Sequence, residues 1–213
     1  RLKGSIMTAL NYLESLNPLQ YESVCSTEGP NLIIAGAGTG KTKVLTTRVA
    51  HIIDNNLAFP SQILCVTFTN KAAREMSERV QKLVSQNMEK MPWMGTFHSI
   101  GAKIIRNHAE VIDLKQSFTI LDKDDQLSLI KQIIKAENLD QSQFSPKLIQ
   151  SKIDHWKNKA LNPNEIKSET LDNLVDEKSL SIYQIYQARL FEINCLDFGD
   201  LLLQCINLFK VPD

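Results

Sequence analysis

Leu32-Ile33-Ile34-Ala35-Gly36-Ala37-Gly38-Thr39-Gly40-Lys41-Thr42 decides the fold. An apolar run leads into a glycine-rich turn, and an amphipathic stretch over 44–53 follows it. Strand, turn and helix in that order are the context of a phosphate-binding loop. The glycines let the backbone turn tightly, so that successive N–H groups converge on one anion. The positive end of the following helix adds to that field. Ala35, Gly36, Ala37, Gly38, Thr39, Gly40, Lys41 and Thr42 therefore form a candidate cradle, with Ala35 where the motif usually has its first glycine. Lys41 is placed to reach the outer phosphates of a nucleotide, and the Thr42 hydroxyl to ligate Mg²⁺. The bland alternative is a glycine-rich turn followed by a chance Lys-Thr, and the flanking periodicities weigh against it.

With 213 residues the chain can hold one large domain or two small ones. Its 43% hydrophobic and 23% charged residues are those of an ordinary globular protein. No apolar run approaches the roughly 20 residues that cross a bilayer, and no signal peptide is visible. Residues 1–6 read as an added or frayed end, with Met7 as the natural start. Zero net charge argues against binding nucleic acid by bulk charge, though not against local patches. Cys25, Cys65, Cys195 and Cys205 form no Cys-x-x-Cys pair and have no histidine at ligand spacing. They read as reduced, mostly buried thiols of a cytoplasmic protein.

The first half alternates strand and helix signals. Asn17 and Pro18 open a short helix over 18–26. Residues 32–35 and 63–68 read as buried strands and 94–97 as a third. Between them lie a helix with Leu45, Val49, Ile52 and Ile53 on one face, a helix opened by Asn70, and a helix over 100–111. That order predicts a parallel sheet covered by helices, an α/β fold. From about Ser117 strand signals nearly vanish. Asp122 caps a helix with the stripe Leu127, Ile130, Ile133 and Ile134, Pro146 opens another, Asn162-Pro163 breaks the chain, and residues 179–193 and 201–209 are helical. This second block reads as all-helical. Three strands make a small, poorly covered sheet, so the chain reads as a fragment of something longer.

Four stretches share one likeness: Leu16-Asn17-Pro18-Leu19-Gln20, the loop at 35–42, Thr67-Phe68-Thr69-Asn70-Lys71-Ala72-Ala73, and Gly95-Thr96-Phe97-His98-Ser99. Together they resemble the amino-terminal part of the UvrD/Rep/PcrA family of superfamily 1 DNA helicases. Ile120-Leu121-Asp122, Asp125-Gln126, Lys157-Asn158 and Leu196-Asp197-Phe198 resemble recurrent stretches of that family's inserted helical subdomain, 1B. The resemblance covers residues 8–210. It implies a truncated, P-loop RecA-like parallel sheet with helices on both faces plus the helical insertion. Its implied divisions are a RecA-like ATP-binding subdomain 1A over 7–115, 1B over 116–192, and a return segment to 1A over 193–213.

The likeness also implies roles. Gln20 resembles the glutamine that reads adenine, for which its donor and acceptor suit the N6/N7 edge, although alone it reads equally as an exposed helical glutamine. Lys43 stands where the family commonly has an arginine lying against the adenine ring; lysine lacks that planar surface. Thr67, Phe68, Thr69 and Asn70 resemble a single-stranded-DNA contact at the carboxyl end of a strand, against a core phenylalanine and a routine cap as the alternative. Thr96, Phe97 and His98 resemble a second DNA contact, His98 reading equally as a structural histidine; Ser99 can cap the next helix. Lys147, Lys152, Lys157 and Lys159, near His155 and Trp156, form either a basic surface near duplex DNA or an ordinary solvated face. Residues 165–177 are too acidic to face a phosphate backbone.

The implied activity is ATP-dependent 3′-to-5′ DNA unwinding, in repair or replication, with ATP and Mg²⁺ as cofactors and single-stranded DNA and the single-strand/duplex junction as partners. No membrane is implied. Hydrolysis needs an acidic pair at a strand end, which the likeness puts beyond Asp213; Asp197 and Asp200 are poor substitutes because they open a helix. The isolated chain is therefore expected to be inactive. The rivals are the ATPase subunit of a helicase-nuclease, a non-catalytic DNA-binding relative, and a P-loop kinase, the last of which predicts an arginine-rich lid that the helical block lacks.

Overall fold

The computed structural model describes residues 11–84, 91–167, 171 and 173–212. The readings of residues 1–6 and of Met7 lie outside these, as do residues 168–170 and 172 of the acidic stretch. The chain divides into two compact units after Ile100.

The first unit carries α1 (Asn11–Glu14), α2 (Pro18–Cys25), α3 (Lys41–Asp54), β1 (Cys65–Thr67), α4 (Asn70–Leu83), β2 (Met94–Thr96) and the start of α5 (Phe97–Asn107). Asn17 and Gln20 open α2 with a capping box, and Pro18 supplies a pre-set φ at its first position. β1 and β2 pair in parallel, Cys65 opposite Met94 and Thr67 opposite Thr96. Val49, Ala50, Cys65, Met76, Val80 and Val84 form the core between α3, α4 and the strands.

Three expectations for this unit are corrected. Residues 32–35 are not a strand: Leu32 is 87% and Ile34 89% exposed. A strand needs a neighbour for its N–H and C=O groups and a layer to cover its apolar side chains, and among the described residues β1 and β2 pair only with each other. In α3 the buried face is Val44, Thr46, Thr47, Val49 and Ala50, while Leu45 faces out. Small and β-branched residues allow the close approach of α2 and α4, and Thr46 can be buried because its hydroxyl donates to the Thr42 carbonyl at 2.8 Å. Finally, Thr69 rather than Asn70 caps α4, accepting from the Ala72 N–H at 3.1 Å.

The second unit holds the rest of α5, β3 (Thr119–Leu121), α6 (Lys123–Ala136), α7 (Pro146–Asn158), α8 (Leu174–Glu192), β4 (Cys195–Asp197) and α9 (Asp200–Phe209). The block is therefore not purely helical. β3 and β4 pair in parallel, Ile120 opposite Leu196, and join the chain's entry into the three helices to its exit. Strands of three residues are too short to print a period-2 pattern. Asp122 caps α6 by accepting from the Asp124 and Asp125 N–H groups, both at 2.9 Å. Ile130, Ile133, Ile134, Ile149, Ile153, Ile182, Tyr183, Tyr186 and Leu190 fill the space between α6, α7 and α8. A second cluster, with Ile105, Phe118, Leu196, Leu201 and Cys205, packs α5 against α9 and the strands. The cysteines are free thiols, three of them buried. No described helix is long and apolar enough to cross a membrane.

Candidate nucleotide and nucleic-acid site

The glycine-rich turn ends in two residues that only glycine adopts readily: Gly38 at φ 77° and Gly40 at φ 88°. α3 begins directly after them, and its first intrahelical bond is Val44 N–H to the Gly40 carbonyl at 2.9 Å. The N–H groups of Lys41, Thr42 and Lys43 therefore lie ahead of the helical ladder at its positive end. The Thr39 hydroxyl donates to the Gly36 carbonyl at 2.8 Å and closes the turn. The Lys41 ammonium reaches back across the loop to the Ala35 and Gly36 carbonyls, both at 3.0 Å. Thr42 is exposed. A cation, a helix start and a turn with left-handed glycines thus lie within one short stretch, a set of groups chemically able to hold an anion with several oxygens. For Mg²⁺, Thr42 offers one oxygen; among the described residues no cluster of three His, Cys, Asp or Glu is placed to hold a metal.

Gln20 stands beside this loop. Its Oε1 accepts from the Asn17 N–H at 3.1 Å, and its Nε2 donates to the Thr39 carbonyl at 3.0 Å. Lys43 does not point to the loop mouth; its Nζ donates to the Ser15 carbonyl at 2.6 Å. The Arg48 guanidinium donates to the Ser23 carbonyl at 2.6 Å.

At the carboxyl ends of β1 and β2 the two phenylalanines meet. Phe68 is 89% exposed, and its ring lies 5.5 Å from that of Phe97 with the planes tilted by 49°. The register that sets Thr67 opposite Thr96 puts the following residues side by side. Thr69 and Asn70 start α4 at this edge. Thr96 is buried and its hydroxyl is used locally: it accepts from the Ser99 N–H at 3.1 Å. Thr96, not Ser99, therefore caps α5, while the Ser99 Oγ accepts from the Thr96 N–H at 2.9 Å. Gly95 makes room for this fold-back, since a Cβ there would lie 2.7 Å from the Ser99 Oγ. Burial holds the His98 imidazole below its usual range, so at neutral pH it is an uncharged donor or acceptor rather than a cation.

In the second unit Lys157 leaves the basic set of α7, while Lys152, His155 and Lys159 line one surface pocket together with Asp176. Lys157 is fully buried and sits 2.7 Å from Asp197 and 2.8 Å from Asp200. Lys152 pairs with Asp176. Lys147, His155 and Lys159 remain on the surface, while Trp156 is half-buried and stacks on Tyr183 at 5.9 Å. Asp197 and Asp200 are thus structural acids; Lys157 continues the buried stripe of Ile149 and Ile153 at four-residue spacing, a signal the helical repeat carries, but the repeat could not show the two acids that meet it.

The UvrD/REP helicase N-terminal domain family matches residues 16–213. The chain belongs to that family. Curated relatives agree. A "Probable DNA helicase II homolog" of Rickettsia felis is 45% identical over 206 residues, covering 95% of this chain and 31% of the relative. A "DNA helicase II" of Rickettsia typhi is 46% identical over 207 residues, covering 95% and 31%. An "ATP-dependent DNA helicase PcrA" of Staphylococcus aureus is 45% identical over 202 residues, covering 94% and 27%. The chain thus spans less than a third of the length of these relatives. The two-stranded parallel sheets and their helices are those of a UvrD-family amino-terminal region with a mixed α/β, RecA-like fold.

Proposed function

We propose that this chain is the ATP- and single-stranded-DNA-binding amino-terminal part of a cytoplasmic, ATP-dependent 3′-to-5′ DNA helicase that works at single-strand/duplex junctions in repair or replication. In this reading 7–115 is the ATP-binding subdomain 1A, 116–192 the helical insertion 1B and 193–213 the return to 1A. The carrying observation is that one compact unit holds both the glycine-rich loop 35–42, directly ahead of α3, and an exposed aromatic pair, Phe68 with Phe97. The relatives' names supply the chemistry class.

ATP, held with Mg²⁺, supplies the free energy for strand movement. The residues of this chain bind and orient it. The N–H groups of 41–43 and the turn amides surround the phosphates, and the Lys41 ammonium exchanges its two carbonyls for phosphate oxygens, a stronger, charge-assisted contact. The Thr42 hydroxyl provides a metal ligand. Gln20 retains one N–H and one lone pair for adenine. Unpaired bases stack on Phe68 and Phe97, each stack worth roughly 1–3 kcal/mol whatever the base. Thr67, Thr69 and Asn70 lie where a phosphate would follow the stacked base, with the α4 start facing it.

Binding of a fluorescent ATP analogue and of a labelled oligo(dT) to this chain tests the reading. Lys41→Ala loses most of the ATP affinity and keeps oligo(dT) binding. Phe68→Ala weakens oligo(dT) by about 5- to 150-fold, the factor that 1–3 kcal/mol represents. ATP affinity surviving Lys41→Ala would remove Lys41 from the phosphate site, and an indifferent Phe68→Ala would remove the ledge. With the full-length protein, unwinding only of 5′-tailed duplexes would refute the direction.

A further inference from the structure

We propose that Lys43 is a positioning residue: it fastens the base-reading turn, 15–20, to the phosphate loop, so that base recognition and phosphate grip move as one body. The inference rests on the nucleotide reading above.

α2 has only eight residues, and of its side chains only Val24 is fully buried, so apolar packing holds it weakly. Polar ties hold it instead. Lys43 donates to the carbonyl of Ser15, the first residue of the turn, at 2.6 Å. Arg48, one and a half turns further along α3, donates to the Ser23 carbonyl near the far end of α2, also at 2.6 Å. Between these two anchors lies the Asn17–Gln20 capping box. The Gln20 amide completes the set by donating to the Thr39 carbonyl inside the phosphate loop.

These ties decide how Gln20 can meet a base. A carboxamide has two N–H donors and two acceptor lone pairs. Asn17 takes one lone pair and Thr39 one N–H, which fixes which way the amide faces. The loop fits closely against it, since a Cβ on Gly40 would come within 3.0 Å of the Gln20 Nε2. Releasing the Ser15 carbonyl frees the turn from α3 at its leading end, and the remaining N–H and lone pair of Gln20 lose their aim. A main-chain carbonyl asks only for a flexible cationic donor, so lysine serves here without the planar surface that stacking on adenine would need.

The test compares ATP with inorganic tripolyphosphate, which has the charge but no base, in competition against a fluorescent nucleotide on this chain. Lys43→Met lowers the ratio of ATP to tripolyphosphate affinity about tenfold. Lys43→Arg, whose guanidinium can donate to the same carbonyl, keeps the ratio within about twofold of the unmodified chain. If Lys43→Met does not fold, Lys43→Gln, too short to reach Ser15, carries the same expectation. A ratio unchanged in Lys43→Met, because both probes weaken equally or neither does, overturns the clasp and leaves the nucleotide site standing. A ratio raised above the unmodified chain by arginine also overturns it, since stacking is what arginine adds. An unmodified chain that binds neither probe overturns the nucleotide reading and the clasp with it.

Discussion

Replacing Lys157 by methionine removes one cation and strands two carboxylates. The Lys157 ammonium lies 2.7 Å from Asp197 and 2.8 Å from Asp200, and all three side chains are buried. At an effective dielectric of about 20, each contact carries roughly 6 kcal/mol of gross attraction. Dehydrating three ions opposes it by several kcal/mol per ion, so the intact cluster contributes little net stability. The deletion is a different matter, because the dehydration persists while the attraction goes. Removing one partner of a buried pair costs about 3–5 kcal/mol. Two features limit the loss. Asp197 keeps the Tyr186 hydroxyl at 2.9 Å and the Gln126 amide at 3.3 Å, and Asp200 can take up a proton. We expect about 3–4 kcal/mol at pH 8. Urea unfolding followed by fluorescence reports it, in a Trp93→Phe background that leaves Trp156, stacked on Tyr183, as the single tryptophan. The midpoint should fall with little change in slope. Adding Asp197→Asn and Asp200→Asn should recover more than half of the loss, because no charge is then left unpaired. A loss below about 1 kcal/mol, or no recovery in the triple variant, would refute the premise that the cluster is both charged and dry.

The same cluster sets a pH dependence. Burial, reinforced by Asp197 and opposed by Lys157, pushes the Asp200 carboxyl from 3.8 up to about 6. Burial acts on Asp197 too, but Lys157 and the Asp200 and Tyr186 hydrogen bonds outweigh it and hold that carboxyl low. Between pH 3.8 and 6 the folded chain keeps the Asp200 proton that the unfolded chain has released, so the Asp200 contribution is full at the acid end and is lost as pH rises through about 6. The stability difference between the unmodified chain and Asp200→Asn, in which histidine effects cancel, should show this fall; a flat difference would contradict it. Gly101→Ala tests the α5–α9 contact: the added Cβ would sit 2.7 Å from the Leu201 carbonyl oxygen. Backbone has to move, and we expect about 1–3 kcal/mol of destabilisation in the same urea assay. A neutral or stabilising result would mean that α9 can slide freely.

Local chemistry was legible in the order of residues alone. Asn17-Pro18, Asp122 and Pro146 mark helix starts through caps and a fixed φ, and these act within four residues. The glycines before Lys41 announce a left-handed turn ahead of a helix for the same reason. What needed the fold was every feature that depends on a distant partner. Leu32-Ile33-Ile34 has the composition of a buried strand, yet composition cannot supply the neighbouring ladder that makes one. Lys157 falls on the apolar stripe of Ile149 and Ile153, yet nothing nearby in the chain compensates its charge until β4 and α9 bring Asp197 and Asp200, 40 and 43 positions away, to its ammonium. Phe68 and Phe97 become a pair, and Lys43 finds Ser15, only because parallel register and helix packing place them together. Caps and turns are decided by neighbours along the chain, which sequence records. Pairing, burial and charge compensation are decided by neighbours in space, which the packed structure alone assembles.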